Sequence, residues 1–234
     1  MDVQEIKEMV MRTASRQEQA EQLLEAAFKE VRPQTDAPYL IIGTVPVFFA
    51  NFLVDLKEQK IFDAMRRFDL VDKLYGNCEF TFKGLERRAQ RLDAVAQLRR
   101  TGLVRFSQQM VPGQRIDGAP AFFPIHIDIQ LREFTIKVPK LYAVAGLSGP
   151  FLLGMLLNAT SQVKGLYPDS MIPQATVARG SIQPGLHSFP TVVAYDFGDI
   201  DSIIRPLCDQ VHQGFGQDSS PMFDREGMWM EKDF

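Results

Sequence analysis

Apolar residues near the N-terminus recur every three or four positions, with charged residues between them. This spacing predicts a single helix over residues 2–31, which ends before Pro33. The apolar stripe is complete over residues 20–31 and thins over residues 13–19. We therefore expect the second half of the helix to pack on the rest of the chain.

The first half of this helix has two interpretations. It either lies along its own domain or forms an interface with a partner protein or a second copy of the chain. Its apolar residues include two methionines, and methionine-rich helical faces adapt well to partner surfaces. The candidate interface residues are Ile6, Met9 and Val10.

The run YLIIGTVPV at residues 39–47 is apolar and rich in β-branched residues. Runs of this kind are typical of strands that are covered on both faces. Similar reasoning predicts five further strands, at residues 79–82, 92–99, 103–108, 151–157 and 191–197. Further helices are predicted at residues 59–67, along a face from Leu131 to Ala145, and after Asp199, which can cap the last helix. The pattern predicts an α/β fold: a mixed β-sheet covered by helices, in a single compact domain with an N-terminal helix.

The longest uncharged run, residues 141–163, is long enough to cross a bilayer. Its middle contains Gly146, Ser148, Gly149 and Pro150, a cluster that ends helices and turns the chain. We therefore interpret the run as a helix end, a turn and a buried strand, and expect a soluble protein without a membrane span.

Two segments are rich in proline and glycine and are predicted to be loops: residues 111–120, and residues 168–190, which would be the natural place for a functional loop. The predicted organisation is an N-terminal helix at 1–31, an α/β domain at 38–215 and a C-terminal tail at 216–234.

The 234 residues have a net charge of -3, which gives no basic footprint for nucleic acid, and direct nucleic-acid binding is not expected. One segment is nonetheless crowded with arginines, which we interpret as the solvated face of a hairpin: Arg87, Arg88, Arg91, Arg99, Arg100 and Arg105. The two cysteines form no disulfide framework, and the N-terminus does not resemble a signal peptide. These features predict a cytoplasmic protein.

Few residues suggest chemistry. Cys208 and His212 are four apart, a spacing that puts both on one helix face, but a structural zinc site needs four ligands and the apolar stripe already explains Cys208. His126 and Asp128 would face the same way on a strand, as a general base and its orienting carboxylate do, although an amphipathic edge or a helix start explains them better. Hydrolase, redox, Walker A and GxGxxG motifs are absent. We therefore predict no metal and no cofactor, and leave catalytic residues unassigned.

The segment Arg179-Gly180-Ser181 can form a small anion-binding turn beside a positive charge. His187 follows in the same predicted loop. Arg179, Ser181 and His187 are therefore the candidate ligand-binding residues.

Several segments together resemble a known protein region. They include Phe82-Lys83-Gly84-Leu85, the hairpin around residues 97–104 and the apolar strand at 150–157. Over residues 5–215 the chain resembles the C-terminal region of bacterial proteins whose N-terminal half is a Schlafen-type, Alba-like DNA-binding domain. The resemblance implies a companion domain without that half, in a regulatory or defence context. The nucleic-acid and nucleotide binding of the family belongs to the other half, so it is transferred to no residue here.

We expect a non-enzymatic sensor or protein-interaction module. The alternative is an enzyme that binds a nucleotide or another small molecule near residues 168–190. A deep pocket lined by His187, Arg179 and a carboxylate would favour that alternative.

Overall fold

The computed structural model describes residues 3–31, 37–48, 53–68, 78–89, 93–168 and 176–231. The helices are α1 (Val3–Lys29), α2 (Gln59–Arg66), α3 (Ile125–Ala145) and α4 (Ile200–Gly214). The strands are β1 (Tyr39–Pro46), β2 (Cys78–Thr81), β3 (Gly84–Ala89), β4 (Ala94–Leu98), β5 (Val104–Gln109), β6 (Gln114–Ile116), β7 (Ala119–Phe122), β8 (Phe151–Ala159), β9 (Val163–Pro168), β10 (Thr176–Ile182), β11 (Gly185–Ser188) and β12 (Val192–Ala194). The expected α/β fold with an N-terminal helix is confirmed, and the six predicted strands are present within three residues of their predicted ends.

The larger sheet has the strand order β11-β8-β1-β5-β4-β3-β2, and β12 also pairs with β8. Each of these pairs is antiparallel. The smaller sheet has the order β10-β9-β7-β6, in which β7 and β9 are parallel. The sheet pairing of the whole fold is therefore mixed.

The apolar run in β1 is explained by its central position, because both faces of the strand are covered. Leu40 and Ile42 belong to a large core formed with α2, α3 and α4. Tyr39 and Ile41 face the opposite side, where α1 covers the sheet. Alternate side chains of one strand therefore contribute to two separate cores, which removes the usual polar alternation.

A pair of glycines lets α1 approach the large sheet closely. Gly43 of β1 and Gly154 of β8 are paired across the two strands. A Cβ atom on Gly43 would lie 2.7 Å from both Leu24 Cδ1 and Phe28 Cε1, and one on Gly154 would lie 2.7 Å from Leu24 Cδ2. The second half of α1 is thus fixed against the sheet, as its complete apolar stripe predicted.

The two predicted loops are where the prediction was wrong. Residues 111–120 contain the start of a hairpin, β6 and β7, joined by a turn with Asp117 and Gly118 at positive φ. The 168–190 segment contains β10 and β11, and residues 169–175 lie outside the described residues. Short strands rich in Gly and Pro give weak periodic signals, so their pairing is visible only in the fold.

The uncharged run at 141–163 is divided as predicted. Helix α3 ends at Ala145, its cap Gly146 has a φ of 69°, and β8 begins at Phe151. Among the helices of the described residues, none is long and apolar enough to cross a membrane.

The last helix is also placed as predicted. Asp199 caps α4 by accepting a hydrogen bond from the amide of Ser202 at 3.2 Å, and Ile204 and Leu207 are fully buried. The following segment packs on the same region, because Met222 and Phe223 are buried and the guanidinium of Arg132 lies 4.9 Å from the Trp229 ring centroid.

Candidate functional site

The N-terminal half of α1 is largely uncovered. Residues 10–16 are all exposed; Val10 is 58% exposed and Met11 is 73% exposed. The side chains of Ile6 and Met9 lie outside the described residues, so these two candidates stay predictions. Further along the helix, the guanidinium of Arg16 lies 5.7 Å from the Phe48 ring centroid.

The three ligand-binding candidates are distributed over two sheets. Arg179 and Ser181 lie on either side of a bulge in β10, which belongs to the smaller sheet. His187 lies on β11, at the edge of the larger sheet, and Nε2 of its ring is 2.7 Å from the carbonyl of Gln183. Ser181 accepts a hydrogen bond from Gln162 at 2.8 Å. Each of these two side chains is thus engaged with a neighbour rather than with the other candidates.

A buried polar network connects α3, α4 and β9. Asp128 Oδ2 lies 2.8 Å from His212 Nε2 and accepts a hydrogen bond from Ser220 at 2.6 Å. The other ring nitrogen of His212 is 2.9 Å from the hydroxyl of Tyr167. The partner of Asp128 is therefore His212 and not His126, which is exposed on the first turn of α3.

This network has the residue types of an acid–base site but no access to substrate. Asp128 and His212 are completely buried, and Ser220 and Tyr167 are nearly so. Burial raises the pKa of the Cys208 thiol, and the neighbouring carboxylate of Asp128 raises it further. Within the described residues, no group of three His, Cys, Asp or Glu side chains could hold a metal ion. We interpret the network as a structural connection between core elements.

A different site lies at one end of the large sheet. The turn between β2 and β3, the turn between β4 and β5, and the 53–58 segment surround a pocket of about 210 Å³. The lining residues are Leu56, Lys57, Phe80, Thr81, Phe82, Lys83, Gly84, Arg99, Arg100 and Thr101. Four of the ten carry a positive charge and none carries a negative one, although the chain as a whole is acidic. We call this the cationic pocket.

Local hydrogen bonds fix the three segments of the cationic pocket. The amide of Val54 donates to the carbonyl of Arg100 at 3.0 Å, which joins the 53–58 segment to the β4–β5 turn. Thr81 Oγ1 donates to the carbonyl of Gly84 at 3.1 Å and closes the β2–β3 turn. Gly84 has a φ of +151°, and a Cβ atom there would lie 2.2 Å from the carbonyl oxygen of Leu98. This position therefore requires glycine.

Two phenylalanines flank the cations. Phe82, at the tip of the β2–β3 turn, is fully exposed, and Phe80 is 59% exposed. The Phe80 ring is stacked on Phe62 of α2, with centroids 5.7 Å apart and planes at 23°. One face of the Phe80 ring is thus packed against Phe62, whereas the ring of Phe82 is accessible to a ligand.

One carboxylate bridges the cations at the back of this site. Glu30, just after α1, forms ion pairs with Arg99, with Lys83 at 2.9 Å and with Arg105 at 3.8 Å. Burial acts to raise the pKa of Glu30, but hydrogen bonds with Arg99 and Lys83 outweigh it and lower the pKa. Glu30 is therefore held as an anion.

A row of polar side chains continues from Glu30 across the α1-facing side of the sheet. Arg99 donates to Gln97 at 2.8 Å, and Gln97 donates to Glu86 at 2.6 Å. Glu86 also accepts from Arg88 at 2.7 Å. Neighbouring side chains in the row are joined by hydrogen bonds. The buried side chain of Gln97 therefore fixes the orientation of Arg99.

Sequence reasoning did not assign the cationic pocket, although two signals were present. The first was the cluster of arginines. Its interpretation as a solvated face was wrong for Arg87 and Arg105, which are 8% and 6% exposed. The second was the Phe82-Lys83-Gly84 turn, which we used only for the resemblance. Lys57 gave no signal, because only the fold brings it to the two turns.

A second cavity, of about 320 Å³, lies between α1 and residues 188–191. It is lined by two carboxylates, Glu21 and Glu25, together with Leu24 and Phe28. Neither Arg179 nor His187 is part of its lining.

Comparisons with protein-family models, with curated proteins and with solved structures found no match to this chain.

Proposed function

We propose that this chain is a non-enzymatic sensor module that binds a small phosphate-bearing ligand with a planar ring in the cationic pocket. The observation that carries the proposal is the lining itself: four cations without a carboxylate, beside a fully exposed phenylalanine. The cations would hold the phosphate oxygens by charge-assisted hydrogen bonds. The ring of Phe82 would stack on the planar part of the ligand.

Two features favour a small ligand that is bound and not transformed. The net charge of -3 would repel a long polyanion beyond the pocket, so a small molecule is favoured over a nucleic acid. The lining contains neither histidine nor carboxylate, the usual general bases at neutral pH. The enzyme alternative near residues 168–190 has no such supporting observation. The bacterial regulatory or defence role and the cytoplasmic location stay proposals that rest on the sequence.

The test is a calorimetric titration with ATP at low ionic strength. ATP is chosen because it combines phosphates with a planar base. We expect saturable binding with a Kd below about 1 mM. Lys57→Ala should weaken it about tenfold, the value of one charge-assisted contact of roughly 1.5 kcal/mol. Lys60→Ala is the matched control, because Lys60 is also exposed, pairs with Glu58 and does not line the pocket.

A second experiment distinguishes the contribution of the planar base to binding from that of the phosphates. Phe82→Ala should weaken ATP binding by about fivefold or more, within the range for loss of one stacking partner. The same variant should leave tripolyphosphate binding unchanged. If ATP does not bind the wild type, or if Lys60→Ala weakens binding as much as Lys57→Ala, the proposal is wrong.

The uncovered half of α1 supports a second role, self-association with a second copy of the chain. Val10 and Met11 are exposed at the middle of this half. Replacing Val10 and Met11 with lysine should lower the mass measured by light scattering without lowering Tm. A wild type that is already monomeric at high concentration would refute this role.

A further inference from the structure

The carboxylate of Glu30 binds two of the cations that an anionic ligand in the cationic pocket would also contact. It contacts Arg99 through both oxygens and Lys83 through one, and both cations line the cationic pocket. Glu30 itself is not part of the lining. The two cations are therefore shared between the protein's own anion on one side and the open pocket on the other.

Glu30 also belongs to the end of the helix that covers the sheet. It directly follows α1, and the carbonyl of Ala27 in the last turn accepts a hydrogen bond from Arg105 at 2.6 Å. Arg105 lies 3.8 Å from Glu30 as well. The last turn of α1 is thus bound by Arg105, which does not line the pocket, whereas Glu30, the next residue after the helix, is bound by Lys83 and Arg99, which do.

We propose that Glu30 is an internal competitor of the ligand, so that filling the cationic pocket with phosphate loosens the anchored end of α1. This inference rests on the proposed function of the pocket. A phosphate that takes hydrogen bonds from Lys83 and Arg99 leaves fewer for the carboxylate and adds a second negative charge beside it. The anchoring of α1 and the occupancy of the pocket then oppose each other.

Thermodynamic linkage makes this coupling reciprocal. If the docked end of α1 weakens ligand binding by some factor, the ligand weakens the docking of α1 by the same factor. Such factors are commonly about 5–150. Ligand binding in the pocket would then change how firmly α1 is docked on the sheet. The first half of this helix is its uncovered part.

The experiment compares ATP binding by the wild type, Glu30→Gln and Glu25→Gln. Glutamine keeps the size of the side chain and removes its charge, so we expect Glu30→Gln to bind ATP at least about fivefold more tightly. Glu25 lies on the same helix and pairs with Lys29, so its variant is the control and should stay within about twofold of the wild type. ATP binding by Glu30→Gln but not by the wild type would refute the proposed function of the wild-type pocket, on which this inference rests.

Hydrogen exchange of the wild type gives a test that needs no variant. The amide of Val31, which donates to the carbonyl of Phe28 at 3.1 Å, should exchange at least about fivefold faster when ATP is saturating. Unchanged or slower exchange at this amide would refute the coupling even if Glu30→Gln did not fold.

The outcomes separate this inference from the proposed function. If wild type and Glu30→Gln bind ATP equally, or if the variant binds more weakly, the pocket is a ligand site and Glu30 is not its competitor. If neither protein binds ATP, both the proposed function and the inference are wrong.

Discussion

The glycine pair beneath α1 allows a sharp test of how this helix is held. In Gly43→Ala the new Cβ atom would lie 2.7 Å from Leu24 Cδ1 and from Phe28 Cε1. Carbon atoms in contact are normally about 3.5–4.0 Å apart, so both side chains must move by roughly 1 Å. Both are nearly fully buried between the helix and the sheet. Overpacking of this kind costs about 1–3 kcal/mol.

For a chain of this size, about 1–3 kcal/mol corresponds to a fall in Tm of roughly 2–12 °C, measured by calorimetry or circular dichroism. Gly113→Ala is the matched control, because its Cβ atom would have its nearest neighbour at 3.8 Å, an ordinary contact. The control should leave Tm unchanged or raise it slightly, since alanine restricts the unfolded chain more than glycine does.

A double-mutant cycle with Leu24→Ala identifies the cause. Leu24→Ala alone should destabilise the protein by about 2–5 kcal/mol. It also removes one of the two clashing side chains, so Gly43→Ala should cost less in its presence, with a coupling of about 0.5 kcal/mol or more. Strict additivity, or a Gly43→Ala variant as stable as Gly113→Ala, would refute the close approach of α1 to the sheet.

Three further predictions follow from single residues. Leu207→Ala, at a fully buried position in α4, should lower the free energy of unfolding by about 2–5 kcal/mol, and a loss below about 0.5 kcal/mol in urea titration would contradict its place in the core. Burial raises the pKa of both cysteine thiols, so Cys78 and Cys208 should react with Ellman's reagent only on unfolding, and rapid labelling of the native protein would count against the fold. The pKa of Glu30 is lowered in the folded state from its ordinary value of 4.5, so its contribution to stability is present above that value and lost as the pH falls through the folded pKa. Glu30→Gln should therefore lose less stability than the wild type between about pH 6 and about pH 3, and equal losses would argue against the ion pairs.

The sequence predicted the elements whose signal is local. The 3.6-residue stripe of α4 and the cap at Asp199 are properties of neighbouring residues, and both are present. The apolar run of β1 likewise indicated a strand covered on both faces. The hairpin of β6 and β7 was missed, because strands of three or four residues are too short for a periodic signal.

The cationic pocket could not be predicted for a different reason. Its cations come from three separated segments, represented by Lys57, Lys83 and Arg99. The sheet order brings the two turns together, and the hydrogen bond from Val54 to Arg100 adds the segment that carries Lys57. Burial also divides the arginine cluster, since Arg105 lies under α1 whereas Arg100 is exposed. Charge counting along the sequence treats these residues as equal, and only tertiary packing separates them.

The most direct test of the account is the calorimetric titration of the wild type with ATP, with Lys57→Ala and Lys60→Ala measured beside it. The account predicts saturable binding that weakens with salt, that falls about tenfold in Lys57→Ala and that is unchanged in Lys60→Ala. Absence of binding to the wild type, or equal weakening by the two substitutions, would contradict the claim that the cationic pocket is a ligand site.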